Sequence, residues 1–195
     1  MRNILIKIWN FKVLGLPKAI YLTLRIITLN IIERANGFFW RLNFKECSEN
    51  VIVQIGTSIR YPGNITLKKN IAIGRDCILF SEFSDSTLYI GSGSQINSNC
   101  SIDFSGDLAI HERVLISEGV NIMTHDHGYD PFSKPKKCSL VINDNAWIGA
   151  HAIILPQVDY IGKNAIIASG AVVTKNVEDN MIVGGNPAKI IKSRI

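Results

Sequence analysis

Charge, proline and cysteine are all sparse in this chain. Only 19% of its 195 residues are charged, six are proline and four are cysteine. The cysteines, Cys47, Cys77, Cys100 and Cys138, form no C-x-x-C pair. They exclude a small disulfide-dense secreted scaffold and a cysteine metal site, and they point to a reducing, cytoplasmic compartment. A hydrophobic fraction of 47% excludes a disordered chain. Long uncharged apolar runs are also missing, because Lys7, Lys12, Lys18 and Arg25 interrupt the apolar stretch 4–32. A spanning helix needs about 18 or more such residues, and a signal peptide needs a clean apolar core and a cleavage site, so neither is expected.

What remains at the N-terminus, 1–48, is an apolar, basic, helical segment. Basic residues on an apolar helix suit an interfacial anchor at a membrane surface, through residues 1–45, and equally a helix packed on its own oligomer. The formal net charge is +5. Such a balance serves nucleic acid, an anionic membrane or a phosphate-bearing ligand. The repeat described next favours the last two.

From about residue 49 to 180 the chain keeps a period of six. Aliphatic residues fall at Ile90, Ile96 and Ile102, at Ile110, Ile116 and Ile122, at Ile142, Ile148 and Ile154, and at Ile161, Ile167 and Val173. Ile73 and Leu79 form a weaker earlier set. Four residues after most of these aliphatics stands a small or β-branched one, such as Cys77, Ser94, Cys100, Val114, Val120, Ala146, Ala152, Ala165 or Ala171. Glycine often follows the aliphatic directly, at Gly74, Gly91, Gly149 and Gly162, and is read as a residue of permissive backbone angles. A stride of six predicts a short strand plus a tight corner. Three strides close a triangular coil, and stacked coils bury one continuous core. An amphipathic helix would need a period of 3.6 and a sandwich longer alternating strands. Residues 181–195, punctuated by Gly184, Gly185 and Pro187, are expected to form a short capping turn or helix. The nineteen-residue step from Ile142 to Ile161 suggests a one-residue insertion at Asp159-Tyr160.

The rhythm breaks between Ile122 and Ile142, where an excursion loop, 124–140, holds His125 and His127. Histidine has an unperturbed pKa near working pH, which suits a general base for an alcohol nucleophile. The ordered strings T-H-D-H-G-Y-D-P, W-I-G-A-H-A-I-I-L-P, I-A-S-G-A-V-V-T-K and G-G-N-P-A-K-I-I-K resemble the hexapeptide-repeat acyltransferases. The likeness is to the galactoside and maltose O-acetyltransferases and to polysaccharide O-acetyltransferases, over roughly residues 70–195. It implies an all-β, left-handed parallel β-helix, and a homotrimer with active sites between subunits. It also implies transfer of an acetyl group from acetyl-CoA to a hydroxyl of a sugar or polysaccharide precursor, with no metal and no nucleic acid.

Carried over residue by residue, the resemblance makes His127 the catalytic base, with His125 as the alternative. Asn97 matches the acceptor-contacting asparagine. Trp147 and Ala150 match the pantetheine wall, Ser169, Thr174 and Lys175 lie near the coenzyme tail, and Lys189 and Lys192 match basic positions near its phosphates. Asp103-Phe104-Ser105 departs from the acids of the galactoside enzymes and leaves the acceptor open. An N-acetyltransferase acting on an amino sugar or sugar nucleotide would use the same chemistry on an amine. A β-helix carbonic anhydrase would need His125, His127 and His151 on zinc, at a spacing unlike that family's. A catalytically dead scaffold would leave the His127 motif without a purpose.

Overall fold

A computed structural model describes residues 16–194. The start of the N-terminal segment, with Lys7 and Lys12, lies outside those residues. The segment is helical from Leu16 to Asn43 (α1). The helix packs on the first two coils: the Asn36 side-chain amide donates to the Val53 carbonyl at 2.8 Å in the first, and Glu33 pairs with Arg75 in the second. Phe44 then turns inward and closes the bottom of the core.

Beyond it the chain winds as a three-faced solenoid of parallel strands. The first face holds Glu46–Cys47, Ile65–Leu67, Leu88–Ile90, Leu108–Ile110, Leu140–Ile142 and Tyr160–Ile161. The second holds Val51–Val53, Ile71–Ile73, Gln95–Ile96, Leu115–Ile116, Trp147–Ile148 and Ile166–Ile167. The third holds Ser58–Ile59, Ile78–Phe80, Ser101–Asp103, Asn121–Ile122, Ile153–Ile154 and Val172–Val173. Register sets each aliphatic on its copy in the next coil. Ile90 pairs with Ile110 and Ile110 with Ile142, Ile96 with Ile116 and Ile116 with Ile148, and Ile102 with Ile122 and Ile122 with Ile154. These residues and the small corner residues are buried, so stacking by hydrophobic contact between identical positions holds the coils together.

The structure amends three details. Gly74, Gly91, Gly149 and Gly162 do not supply unusual angles, since none of them has positive φ. A Cβ there would run into the backbone of the neighbouring coil, so these glycines permit close stacking. Left-handed angles fall two residues later, at Asp76, Gly93, His151 and Asn164. The insertion at Asp159-Tyr160 is not isolated, because the corner from the third to the first face is wide in several coils. Ile102 and Ile110 stand eight residues apart, and Phe104 in one coil and Val158 in another plug the space from inside. The C-terminal cap is an antiparallel β-hairpin, Met181–Gly185 with Ala188–Ser193, which continues the second face.

Candidate functional site

The excursion leaves the third face after Ile122 and returns at Leu140, and its two legs pair as an antiparallel ribbon, His125–Asp126 with Lys136–Lys137. Its root is tied to the solenoid by Asp103. That carboxylate is 1% exposed. It accepts the Thr124 N–H at 2.6 Å and the Ser105 N–H at 2.9 Å, accepts the Ser105 hydroxyl, and lies 2.8 Å from His125 Nδ1. Four partners satisfy a buried charge that would otherwise be costly. Thr124 Oγ1 donates to the Asp103 carbonyl and accepts the Gly106 N–H, while Cys138 N donates to the Thr124 carbonyl. Gly106 faces both legs of the loop. A Cβ there would overlap the Thr124 and Cys138 backbones, so a side chain at 106 would push the excursion off its root.

The ribbon leans on the corner 81–87. Lys137 Nζ meets Asp85 at 2.9 Å and lies over the Phe83 ring. That hydrogen bond from the ammonium holds the exposed Asp85 carboxyl below its ordinary range. Below it, Ser86 Oγ donates to the Ser105 carbonyl, and Ser105 Oγ accepts the Glu82 N–H at 2.8 Å. The motif strings do not point to corner 81–87, and they give Asp103 no part in anchoring the loop. A signal for the corner was present, since Leu79 and Ile90 stand eleven residues apart rather than six or eight.

His127 sits half-buried past the ribbon. Its Nδ1 is 2.8 Å from the Ser133 carbonyl, and the Ser133 hydroxyl donates back to the His127 carbonyl at 2.6 Å. The turn between them is set by Asp126, which caps Gly128 N–H, and by Asp130, which caps Phe132 N–H. A carbonyl oxygen only accepts, so the contact requires hydrogen on Nδ1. In the neutral ring Nε2 then carries a free lone pair. The rings of His125 and His127 meet edge to face, with centroids 5.2 Å apart. Tyr129 (109% exposed) and Phe132 (95%) project from the tip.

The other expected site residues divide between two edges of the prism. Asn97, Ala150 and Ser169 lie along the edge after the second face, beside the half-exposed Trp147, whose Nε1 donates to Ser117 Oγ at 2.9 Å. Asn97 is exposed, and the left-handed residue of its corner is Asn99. Thr174 and Lys175 lie on the edge that carries the excursion. With Lys189 they line a cleft of about 350 Å³ between the last coil and the terminal hairpin. Lys192 is exposed on the hairpin outside that lining. Within one chain, then, His127 shares an edge with Thr174 and Lys175 but not with Asn97 or Ala150. Among the described residues no group of three or more His, Cys, Asp or Glu is placed to hold a metal ion. His151 stands apart from the two loop histidines, its ring against Gly119.

No family model matches the chain. It is similar to the galactoside O-acetyltransferase of Lactococcus lactis, with 30% identity over 133 residues covering 64% of each chain. The chain thus spans less than two thirds of that relative's length. It is also similar to a putative lipopolysaccharide biosynthesis O-acetyl transferase of Escherichia coli, at 27% identity over 78% of this chain and 82% of the relative. Among solved structures, the hexapeptide-repeat acetyltransferase of Vibrio cholerae superposes with a TM-score of 0.61 at 24% identity, over 84% of this chain and 81% of its own. That protein has also been crystallised with acetyl coenzyme A. An N-acyltransferase from Bacillus cereus, solved with dTDP and coenzyme A, gives a TM-score of 0.72 at 23% identity, over 80% and 86%. The motif resemblance to hexapeptide-repeat acyltransferases therefore holds along most of the chain, and the solenoid is the left-handed parallel β-helix of those proteins.

Proposed function

We propose that this chain is an acyltransferase that moves an acetyl group from acetyl-CoA to a hydroxyl of a sugar or polysaccharide precursor, in the cytoplasm, with His127 as general base. The observation that carries the reading is the contact of His127 Nδ1 with the Ser133 carbonyl, which leaves Nε2 as a proton acceptor on an otherwise well-anchored loop. In the reaction, Nε2 takes the hydroxyl proton as the acceptor oxygen attacks the thioester carbonyl carbon. The C–S bond breaks, and the departing thiolate takes the proton back from the imidazolium. His125 is the alternative base, but its Nδ1 is committed to Asp103 at the root of the loop. Orienting that root is the role assigned to it.

The donor end of the reading rests on the cleft of Thr174, Lys175 and Lys189, where ammonium groups suit mobile phosphates. Trp147, Ala150, Ser169 and Lys192 complete the donor slot, and Asn97 contacts the acceptor. A homotrimer brings these together: Asn97 and Trp147 of one subunit face the excursion loop of the next, and Tyr129 and Phe132 are covered by the neighbour. The names of the Lactococcus and Escherichia relatives favour a glycan hydroxyl. The Bacillus neighbour, an N-acyltransferase, keeps an amine on an amino sugar or sugar nucleotide as the second reading. The β-helix carbonic anhydrase gains no support from the placement of His151.

Incubating the purified protein with acetyl-CoA and a panel of hydroxyl and amino sugars, with free-thiol release as readout, tests the reading. Mild base should then strip the acetyl group from the product, because esters cleave under conditions that spare amides. A base-resistant product would shift the assignment to the amine. No thiol release with any member of the panel would remove support for acetyl transfer to sugars.

A further inference from the structure

α1 is apolar on both sides. One stripe, Leu22, Ile26, Leu29, Glu33, Asn36 and Trp40, is half-buried on the side that makes the Val53 and Arg75 contacts. The opposite stripe, Ile20, Leu24, Ile27, Ile31, Phe38 and Leu42, is exposed, and Tyr21, Ile32 and Phe39 widen it. A helix that is apolar all round is normally covered all round. The solenoid covers the inner stripe and forms, with Arg34, Phe38 and Arg41, an open cleft along one edge of the helix, while the rest of the outer stripe is left exposed.

The charges identify what covers the outer one. At about 100° per residue, Lys18 and Arg25 border the exposed arc on one side, and Arg34 and Arg41 border it on the other. None of the four makes an ion pair among the described residues. Glu33 is the helix's only acid, and it points inward to Arg75. Two copies of this helix meeting along the outer stripe would bring cationic border against cationic border with no carboxylate to bridge them. A surface of anionic headgroups over an apolar layer matches both features at once. The arc enters the acyl boundary, and the long basic side chains reach back to the phosphates. Among the described residues no helix is long and apolar enough to cross a membrane, so the helix would lie in the surface plane.

We propose that the outer face of α1 docks this protein on an anionic lipid bilayer, with the solenoid held on the polar side. The docking stands without the acetyl-transfer chemistry. It rests on that reading only for its consequence, an acceptor glycan presented at a membrane surface.

The test is flotation of the full-length protein with vesicles of phosphatidylcholine alone or mixed with phosphatidylglycerol. Light scattering follows the oligomeric state in parallel, and thiol release is assayed separately without vesicles. The wild type should float with the phosphatidylglycerol vesicles and dissociate as salt rises. Leu24→Asp combined with Ile31→Asp should abolish flotation at unchanged oligomeric state. Arg34→Gln with Arg41→Gln, which keeps two exposed polar side chains at the rim of the cleft between the helix and residues 51–54, should weaken partition by roughly fivefold per charge. Absence of flotation in the wild type would overturn the proposal, as would partition indifferent to phosphatidylglycerol and to the arginine pair. It would also be overturned if the aspartate pair dissolved the oligomer while flotation persisted, which would make the face a subunit contact. Loss of thiol release with flotation intact would instead count against the acyltransferase reading alone.

Discussion

Asp103 ties one coil to the root of the excursion through four contacts made from inside the core. Asp103→Ala should therefore cost on the order of 3 kcal/mol in denaturant unfolding, the scale for stripping a partner from a buried charged network. Gly106→Ala separates positioning from stability. Its added carbon meets the backbone of both loop legs, so turnover should fall much more than the unfolding midpoint, measured on the same preparation. His127 was legible in the sequence because the H-G-Y-D-P string has a motif context. Asp103 was not. Read along the sequence, D-F-S is only a departure from the acids of related enzymes. Its purpose appears when the loop, some twenty residues on, folds back over it.

Among the elements, each coil depends on aliphatics stacked in register. Ile110 is fully buried between Ile90 and Ile142, so Ile110→Ala should destabilise by about 2–5 kcal/mol. The corner between the first and second faces carries charges that set a pH window. The Tyr160 hydroxyl and the Lys163 N–H hold the Asp179 carboxyl below its usual range, and that carboxylate pushes the Tyr160 phenol up to about 12. A depressed carboxyl stabilises above its unfolded value of about 3.9 and loses that contribution as pH falls through the folded one. A raised phenol stabilises below about 10 and loses its contribution as pH rises through the folded value. Melting temperature measured against pH should sag at both ends, and Asp179→Asn should shrink both limbs. Asp179 is exposed and Tyr160 only half-buried, so the effect is modest.

The periodicity revealed the coils from Ile90 onward, showed the second only weakly at Ile73 and Leu79, and left the first without a set of its own. The wide third corner contributes, since Leu67 stands eight residues after Ile59 and Ile90 eleven after Leu79, so no set of three strides is joined to its neighbour by a step of six there. The terminal hairpin was equally hidden, because G-G-N-P reads as a break rather than as a tight turn between two strands.

For the whole molecule, the division of the expected site between two prism edges is the main structural constraint. If a site is built from two subunits, two dead variants with lesions on different edges should rescue each other. Mixed oligomers of His127→Ala with a Trp147→Ala, Asn97→Ala chain should recover a clear fraction of wild-type thiol release, while each variant alone stays inactive. The proposed trimer rests on the family resemblance alone, since no residue pattern in a single chain encodes a three-fold axis.

The account turns on the imidazole of His127, and turnover of His127→Ala beside wild type and His125→Ala tests it most directly. It predicts that His127→Ala loses on the order of 10²–10⁴ in kcat with coenzyme A affinity kept, and that His125→Ala retains more activity. A His127→Ala enzyme turning over within a few-fold of wild type, or His125→Ala as the deeper lesion, would contradict it.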